Sequence, residues 1–212
     1  MDRWHFPSRK GLFFGASHTG VVAALALSLA GCAALPGGGP APLDTFDLSS
    51  PIQREPGQRR SKLQVLVPEP SALKALDGQN IVIKPESNAI EYLKGAQWAD
   101  RLPRVVQSRL VEAFQRSSRF GGVGKPGEGL AIDYQVIVEI RAFEIRVAGG
   151  ATAVVELFAR VLNDRNGVVR ASRVFEARSA VSGSTNADYI AGLDRAFGEA
   201  SRDMVAWAAG AM

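Results

Sequence analysis

Three consecutive segments in the second half of the chain alternate apolar and polar residues with the two-residue period of a β-strand. The alternation predicts strands over 132–147, 152–162 and 168–181. Turn residues separate them: Gly149 with its glycine neighbour after the first strand, and an Asn-Asp-Arg-Asn-Gly run ending at Gly167 after the second. Such short connections join antiparallel neighbours, so the segments predict an antiparallel meander. Every other element must be arranged around this sheet.

The first of these strands contains a change of phase. Apolar residues occupy one set of alternate positions up to Ile140 and the other set from Phe143 onward. A slip of one residue would turn every later side chain to the opposite face of the sheet. The sequence therefore predicts a β-bulge or bend at Ala142 and Phe143.

Two segments show helical periodicity instead. Apolar residues recur at three- and four-residue spacing over 100–118 and over 187–209, which predicts one buried stripe on each helix. Asp100 and Asn186 are the predicted N-caps. The fold class that follows is α/β of the α+β type: a mixed, mainly antiparallel sheet covered by two main helices.

Shorter patterns precede the meander. Runs of apolar residues predict four short strands, at 44–48, 63–67, 81–84 and 90–93, of which the last two form a hairpin. Residues 71–79 are expected to be a turn and linker. The glycine- and proline-rich stretch 121–129 is expected to be a loop.

The N-terminal region has the features of a secretory signal peptide. A basic start is followed by an apolar run too short to span a membrane and then by small residues. Its last four residues, Leu29, Ala30, Gly31 and Cys32, resemble the lipobox of bacterial lipoproteins. That resemblance implies cleavage before Cys32, a diacylglyceryl group on its thiol and an acyl chain on its new amino group. Cys32 is the only cysteine in the chain.

The organisation that follows has three parts. Residues 1–31 are predicted to be a removed lipoprotein signal peptide. Residues 32–61 are predicted to be the lipidated cysteine and a flexible tether with a short strand, because proline and glycine dominate its first part. Residues 62–212 are predicted to be a single domain, a length that suffices for a sizeable core.

Composition removes most catalytic chemistry from the mature chain. Both histidines, His5 and His18, lie in the predicted signal peptide. Without His or a free Cys, the mature chain cannot form a Ser-His-Asp triad, a Cys-His pair or a His- or Cys-ligated zinc site. The remaining acid–base candidates are Glu86, Asp133 and Glu139, which are more simply explained as parts of a solvated face. We therefore predict that the protein is not an enzyme and that it binds no metal and no cofactor beyond the covalent lipid. The chain contains no run of basic residues of the kind that indicates nucleic-acid binding, so we predict no nucleic-acid partner.

Several of these pieces together resemble the ABC-type transport auxiliary lipoprotein family. The resemblance covers residues 44–209 and is most specific in Tyr92 through Phe120, which includes the segment Trp98-Ala-Asp-Arg-Leu-Pro-Arg-Val-Val-Gln-Ser-Arg-Leu110. The strand Tyr134 to Ile140, leading into Phe143-Glu144, adds to it. Phe46 stands where many members have a tyrosine.

The resemblance implies a non-catalytic role in an envelope transport system. Its members are lipoprotein partners of ABC transporters that carry mammalian-cell-entry (MCE) domain proteins, systems linked to phospholipid movement between membranes. The expected partners are therefore an MCE-domain protein, ABC transporter subunits and the membrane through the lipid anchor, and a homo-oligomer is left open. The alternative is a structural or regulatory outer-membrane lipoprotein that docks on another envelope assembly, such as a cell-wall synthase or secretion pore.

Residue 33 sets the expected location. It is Ala rather than the Asp that marks inner-membrane retention in enteric bacteria. The expected location is thus the outer membrane of a Gram-negative bacterium, with the domain facing the periplasm.

Overall fold

The computed structural model describes residues 42–49 and 60–212. The predicted signal peptide, the lipobox and most of the predicted tether lie outside these residues. Pro42–Met212 forms one compact unit. The strands are β1 (Asp44–Phe46), β2 (Arg60–Leu66), β3 (Ser71–Ala72), β4 (Asn80–Lys84), β5 (Glu91–Trp98), β6 (Phe120–Gly124), β7 (Tyr134–Arg146), β8 (Thr152–Asn163) and β9 (Val169–Ala180), and the helices are α1 (Leu102–Arg116) and α2 (Asn186–Ala211).

The meander β7-β8-β9 is the largest part of the sheet, as the alternation predicts. β7 pairs antiparallel with β8 along its whole length, and β8 pairs antiparallel with β9. The register between β7 and β8 shifts after Ile140, which faces Leu157, so that Ala142 faces Glu156. The predicted bulge is confirmed, and it keeps both Ile140 and Phe143 in the core.

The other edge of β7 is shared by three short strands. β2, β3 and β4 follow one another along it, each parallel to β7. From there the sheet divides: β2 continues to β6, and β4 continues through an antiparallel hairpin to β5 and then to β1. The mixed, mainly antiparallel sheet with two helices confirms the predicted fold class.

One hydrophobic core joins the two helices to the inward residues of the sheet. Phe114 of α1 packs against Phe120 of β6, with ring centroids 5.4 Å apart. Phe143 of β7 contacts both Trp98 of β5 and Phe197 of α2, at 5.7 and 6.0 Å. The apolar stripes predicted for the helices are therefore the faces that are buried.

Two predicted N-caps are wrong. The N-cap of α1 is Arg101, and Asp100 instead accepts a hydrogen bond from the Arg101 amide. The N-cap of α2 is Thr185, whose hydroxyl accepts the Asp188 amide while the Asp188 carboxylate accepts the Thr185 amide. This reciprocal pair is a capping box, which satisfies two amide donors at the first turn.

Two segments expected to lack regular structure contain strands. β3 lies within 71–79, and β6 occupies Phe120–Gly124, at the start of the predicted loop 121–129. Both strands form parallel pairs with segments distant in sequence, so local composition gave no sign of them. The strand predicted at 90–93 is also longer, at Glu91–Trp98.

Candidate docking surface

The longest free edge among the described strands belongs to β9. This strand pairs only with β8 in the described part of the chain, so the opposite edge of Val169–Ala180 carries unpaired backbone groups. Such an edge is a template on which an extended segment of a partner can add a strand.

The edge is closed at its C-terminal end. Arg195 of α2 donates from Nη2 to the carbonyl of Ala180 (2.9 Å) and from Nε to the hydroxyl of Ser179 (3.0 Å). Helix α2 also covers the inward face of β9, where Phe175 packs edge-on against Trp207 at 5.4 Å. A strand added to β9 would thus extend a rigid, helix-backed sheet.

An aromatic and arginine cluster marks the outward face of the meander. The guanidinium of Arg141 lies 4.2 Å from the ring centroid of Phe158, and that of Arg160 lies 5.9 Å away. Phe158 sits between Glu139 on β7 and Val174 on β9, and Val174 is 43% exposed. Aromatic and arginine side chains of this kind are enriched at the centres of protein interfaces. The sequence analysis missed this cluster, since Phe158, Arg141 and Arg160 meet only through the strand register.

Charge on the β9 edge discourages uncontrolled pairing. The exposed residues Arg170, Arg173 and Arg178 lie along β9, and Arg178 donates to the Glu176 carboxylate at 2.6 Å. Charged side chains along a free edge are a common protection against aggregation. The surface therefore favours a partner that supplies both a strand and complementary charge.

The three candidate acid–base carboxylates are not brought together. Asp133 precedes the first residue of β7, whereas Glu86 follows Lys84, which pairs with the last residue of β7. The two carboxylates thus lie at opposite ends of a 13-residue strand. Glu139 lies between them, exposed and paired with Arg141 at 3.3 Å. Acid–base catalysis by a pair of carboxylates needs them around one substrate, and this arrangement does not provide that.

Asp133 has a structural role. Its carboxylate accepts the Gln64 amide at 3.0 Å and the Arg165 guanidinium at 2.6 Å. The backbone hydrogen bond from Gln64, together with Arg165, holds the pKa of Asp133 below its ordinary value. Asp133 therefore joins β2 to the loop between β8 and β9 as a charged carboxylate.

The surface clefts are shallow and mainly charged. One of about 340 Å³ lies along α1 and is lined by Asp47, Glu69, Arg104 and other polar side chains. Another of about 410 Å³ lies between β9 and α2. Pockets for apolar small molecules are lined mostly by hydrophobic and aromatic side chains, unlike these two.

Within 42–49 and 60–212, no group of three or more His, Cys, Asp or Glu side chains is placed to hold a metal ion. In the same residues, no helix combines the length and apolar character that crossing a membrane requires. The predicted lipidation site, Cys32 with Leu29, Ala30 and Gly31, falls outside them.

The fold is that of a small α+β domain, and its candidate docking surface consists of the free edge of β9 and the outward face of the meander. The chain belongs to the ABC-type transport auxiliary lipoprotein component family, which it matches over residues 46–205. The family predicted from the residues is therefore confirmed. Members of this family are described as auxiliary components of transport, not as enzymes.

The chain is also similar to proteins whose activity is not described. An uncharacterised protein of Bradyrhizobium diazoefficiens is 30% identical over 180 residues, which are 84% of this chain and 48% of the relative. The chain thus spans about half the length of this curated relative. A crystal structure of a Xanthomonas campestris protein has a TM-score of 0.72 at 24% identity, covering 79% of this chain and 95% of that one. A second, uncharacterised crystal structure has a TM-score of 0.63 at 14% identity, covering 78% and 98%. These two crystal structures share the fold of this chain.

Proposed function

We propose that this protein is a non-catalytic, lipid-anchored component of an ABC transporter system with MCE-domain proteins, and that this system moves phospholipid or another lipid between the inner and outer membranes. In this proposal Cys32 carries the lipid anchor in the outer membrane and the domain faces the periplasm. Its partners are an MCE-domain protein and ABC transporter subunits. Family membership over residues 46–205 is the observation that carries the proposal.

The anchor gives the domain its place of action. A diacylglyceryl group and a further acyl chain bury enough methylene groups for stable attachment, at about 0.8 kcal/mol for each. A domain held close to a membrane meets a partner there at a high effective concentration. A weak docking contact would then suffice.

The β9 edge and the outward face of the meander are the proposed contact. An MCE-domain partner would add an extended segment to β9 and place side chains against Phe158 and Val174. Main-chain hydrogen bonds would supply affinity, and the pockets between alternate side chains would supply specificity. Truncating or charging a central apolar residue should then weaken the complex more than changing an apolar residue elsewhere.

Affinity purification of the tagged full-length protein from envelopes tests this proposal. The wild type should recover MCE-domain and ABC transporter subunits. Val174→Glu should reduce that recovery about tenfold or more, because it places a buried charge at the contact. Val168→Glu is the matched control: Val168 is 52% exposed in the turn before β9, and its change should leave recovery intact.

Three results would contradict parts of the proposal. Recovery of cell-wall synthases or secretion-pore components in place of transporter subunits would overturn the transport role and support the alternative assembly. Equal loss with Val174→Glu and Val168→Glu would overturn the contact surface alone. An unmodified Cys32 by mass spectrometry, or a Cys32→Ser protein that still fractionates with membranes, would overturn the anchor.

A further inference from the structure

One end of the domain is built from three connections that lie side by side. The amide of Val147, after β7, donates to the Lys84 carbonyl at the end of β4 (3.1 Å), and the amide of Val181, after β9, donates to the Ala151 carbonyl before β8 (2.9 Å). The β4-β5 turn, the β7-β8 turn and the β9-α2 loop, residues 85–90, 147–151 and 181–185, therefore share this end. We call it the tether end.

The direction of β1 shows at which end of the domain the preceding residues lie. β1 runs parallel to β5, with Asp44 opposite Ala96 and Phe46 opposite Trp98. Pro42 and Leu43, the described residues before Asp44, therefore lie toward the end at which β5 begins, which is the side of the β4-β5 turn. The described chain enters β1 from the tether end.

The tether end exposes large apolar side chains. Ile90 and Tyr92, where β5 begins, are 50% and 46% exposed, and Leu43, just before β1, is 50% exposed. Tyrosine is enriched at the boundary between membrane and water, where its ring meets apolar groups and its hydroxyl stays hydrated. These three side chains would be costly to leave in water and suit an interfacial layer.

The length of the tether limits which end can meet the membrane. Nine residues lie between Cys32 and Pro42, so the ten steps that join the two reach at most about 36 Å when fully extended. β7 has 13 residues and spans about 40 Å from one end of the meander to the other. The opposite end also exposes apolar residues, Val168 and Val169, but an anchored tether would have to run back along the whole domain to bring them to the same membrane.

Charge does not explain attraction to this end. The basic residues Lys84, Lys94 and Arg146 stand among the acidic residues Glu86, Glu91 and Glu144, and the Glu144 carboxylate pairs with both Lys84 and Arg146. A mixed patch gains little from anionic lipids. Contact here would depend on apolar burial and would be insensitive to salt.

We infer that the tether end rests on the surface of the membrane that holds the anchor, with Ile90 and Tyr92 in the headgroup layer. This inference rests on the proposed lipidation of Cys32. It fixes the orientation of the domain: the β8-β9 turn points away from the membrane, and β9 runs from that turn back toward the membrane surface. A partner that extends from the opposite membrane can therefore pair with the free edge of β9.

Fluorescence depth measurements on the full-length lipoprotein test this orientation. The lipidated protein is reconstituted in vesicles of phosphatidylethanolamine and phosphatidylglycerol. The thiol of Cys32 is consumed by the lipid, so Ile90→Cys and Val168→Cys each offer one site for an environment-sensitive fluorophore. Ile90 and Val168 are matched, since both are aliphatic and half exposed but lie at opposite ends.

Nitroxide-labelled lipids should quench the probe at position 90 roughly twofold or more above the probe at position 168, with a blue-shifted emission. High salt should leave this difference unchanged. Equal quenching at both positions, or stronger quenching at 168, would overturn the orientation. Tyr92→Cys gives an independent reading if the first variant folds poorly.

Mass spectrometry of the same preparations separates the two proposals. A lipidated Cys32 with the position 90 probe in water overturns the orientation and leaves the anchor intact. An unlipidated Cys32 overturns both. Neither result depends on recovery of transporter subunits, so the transport role is tested separately.

Discussion

Single carboxylates in this domain serve as links between elements that are far apart in sequence. Asp133 joins β2 to the β8-β9 loop through the Gln64 amide and Arg165. Sequence reasoning identified Asp133 as an acid–base candidate because its type allows that chemistry. Its partners, which decide its role, are set by tertiary contacts and were not visible in the alternation of the strand.

The contribution of Asp133 to stability should depend on pH. Its pKa is lowered in the folded protein, so its stabilising effect is present above the ordinary aspartate pKa of about 3.9 and is lost as pH falls through the lower folded value. Asp133→Asn should lower stability by about 1 kcal/mol at neutral pH. Thermal melts should show this gap at pH 7 and its loss in acid.

Asp164→Asn is the control for that measurement. Asp164 accepts a hydrogen bond from the neutral amide of Gln135, so its change should have a small effect on stability. A gap between Asp133→Asn and wild type that persists unchanged in strong acid would contradict the charged role of Asp133.

Two glutamates on β7 make similar ion pairs but differ in burial. Glu144 and Glu139 each pair with the arginine two residues later, at 2.8 and 3.3 Å, but their side chains are 4% and 47% exposed. Glu144 also pairs with Lys84 at 3.4 Å. In the sequence both glutamates alternate with apolar residues, a pattern typical of a solvent-exposed face. Glu139 is exposed as that pattern indicates, whereas neighbouring side chains bury Glu144.

Glu144→Gln should destabilise the domain by about 1–3 kcal/mol, because it removes a buried hydrogen-bonded charge from two cations. Glu139→Gln should change stability by less than about 0.5 kcal/mol, as expected for an exposed pair. Chemical denaturation of both variants checks this. Similar losses would mean that burial does not distinguish the two sites.

The elements that the sequence predicted are those with strong local patterns. The meander and both helices carry their own periodicity over a dozen residues or more, and all were found. β6 contains three glycines in Phe120–Gly124, a composition that disfavours strands. It is a strand because β2 supplies a parallel neighbour, and that pairing depends on the whole fold.

A glycine in α2 shows how closely that helix approaches the sheet. A Cβ atom on Gly192 would lie 2.8 Å from Cγ2 of Val181 and 3.2 Å from Cβ of Ala153. Gly192→Ala should therefore destabilise by about 1 kcal/mol or more despite the better helix propensity. Gly210, in the same helix, has no atom within 4 Å of such a Cβ. Gly210→Ala should be neutral or stabilise by up to about 1 kcal/mol. Thermal melts should show a lower melting temperature for Gly192→Ala and no loss for Gly210→Ala; equal losses in the two variants would contradict the close contact.

The N-terminal segment 42–49 ties the chain to both helices at once. Leu48 is 2% exposed and belongs to the core. Asp47 pairs with Arg109 of α1, and the amide of Ser49 donates to the Asp194 carboxylate of α2 at 2.7 Å. The sequence predicted a strand at 44–48 from Phe46 and Leu48, and the structure has a shorter one, with Leu48 anchored beyond its end. The segment that would lead to the proposed membrane anchor is thus held by the domain itself.

Leu48→Ala tests whether this segment is part of the cooperative fold. Removing a buried leucine should cost about 2–5 kcal/mol and lower the melting temperature of the whole domain, because a single core unfolds as one unit. Leu43→Ala changes the same type of residue five positions earlier, where the side chain is half exposed, and should have little effect. Hydrogen exchange should accelerate in 42–49 and in both helices of Leu48→Ala. If exchange rises only in 42–49 while the melting temperature is unchanged, the segment is a local attachment that can detach without disturbing the sheet.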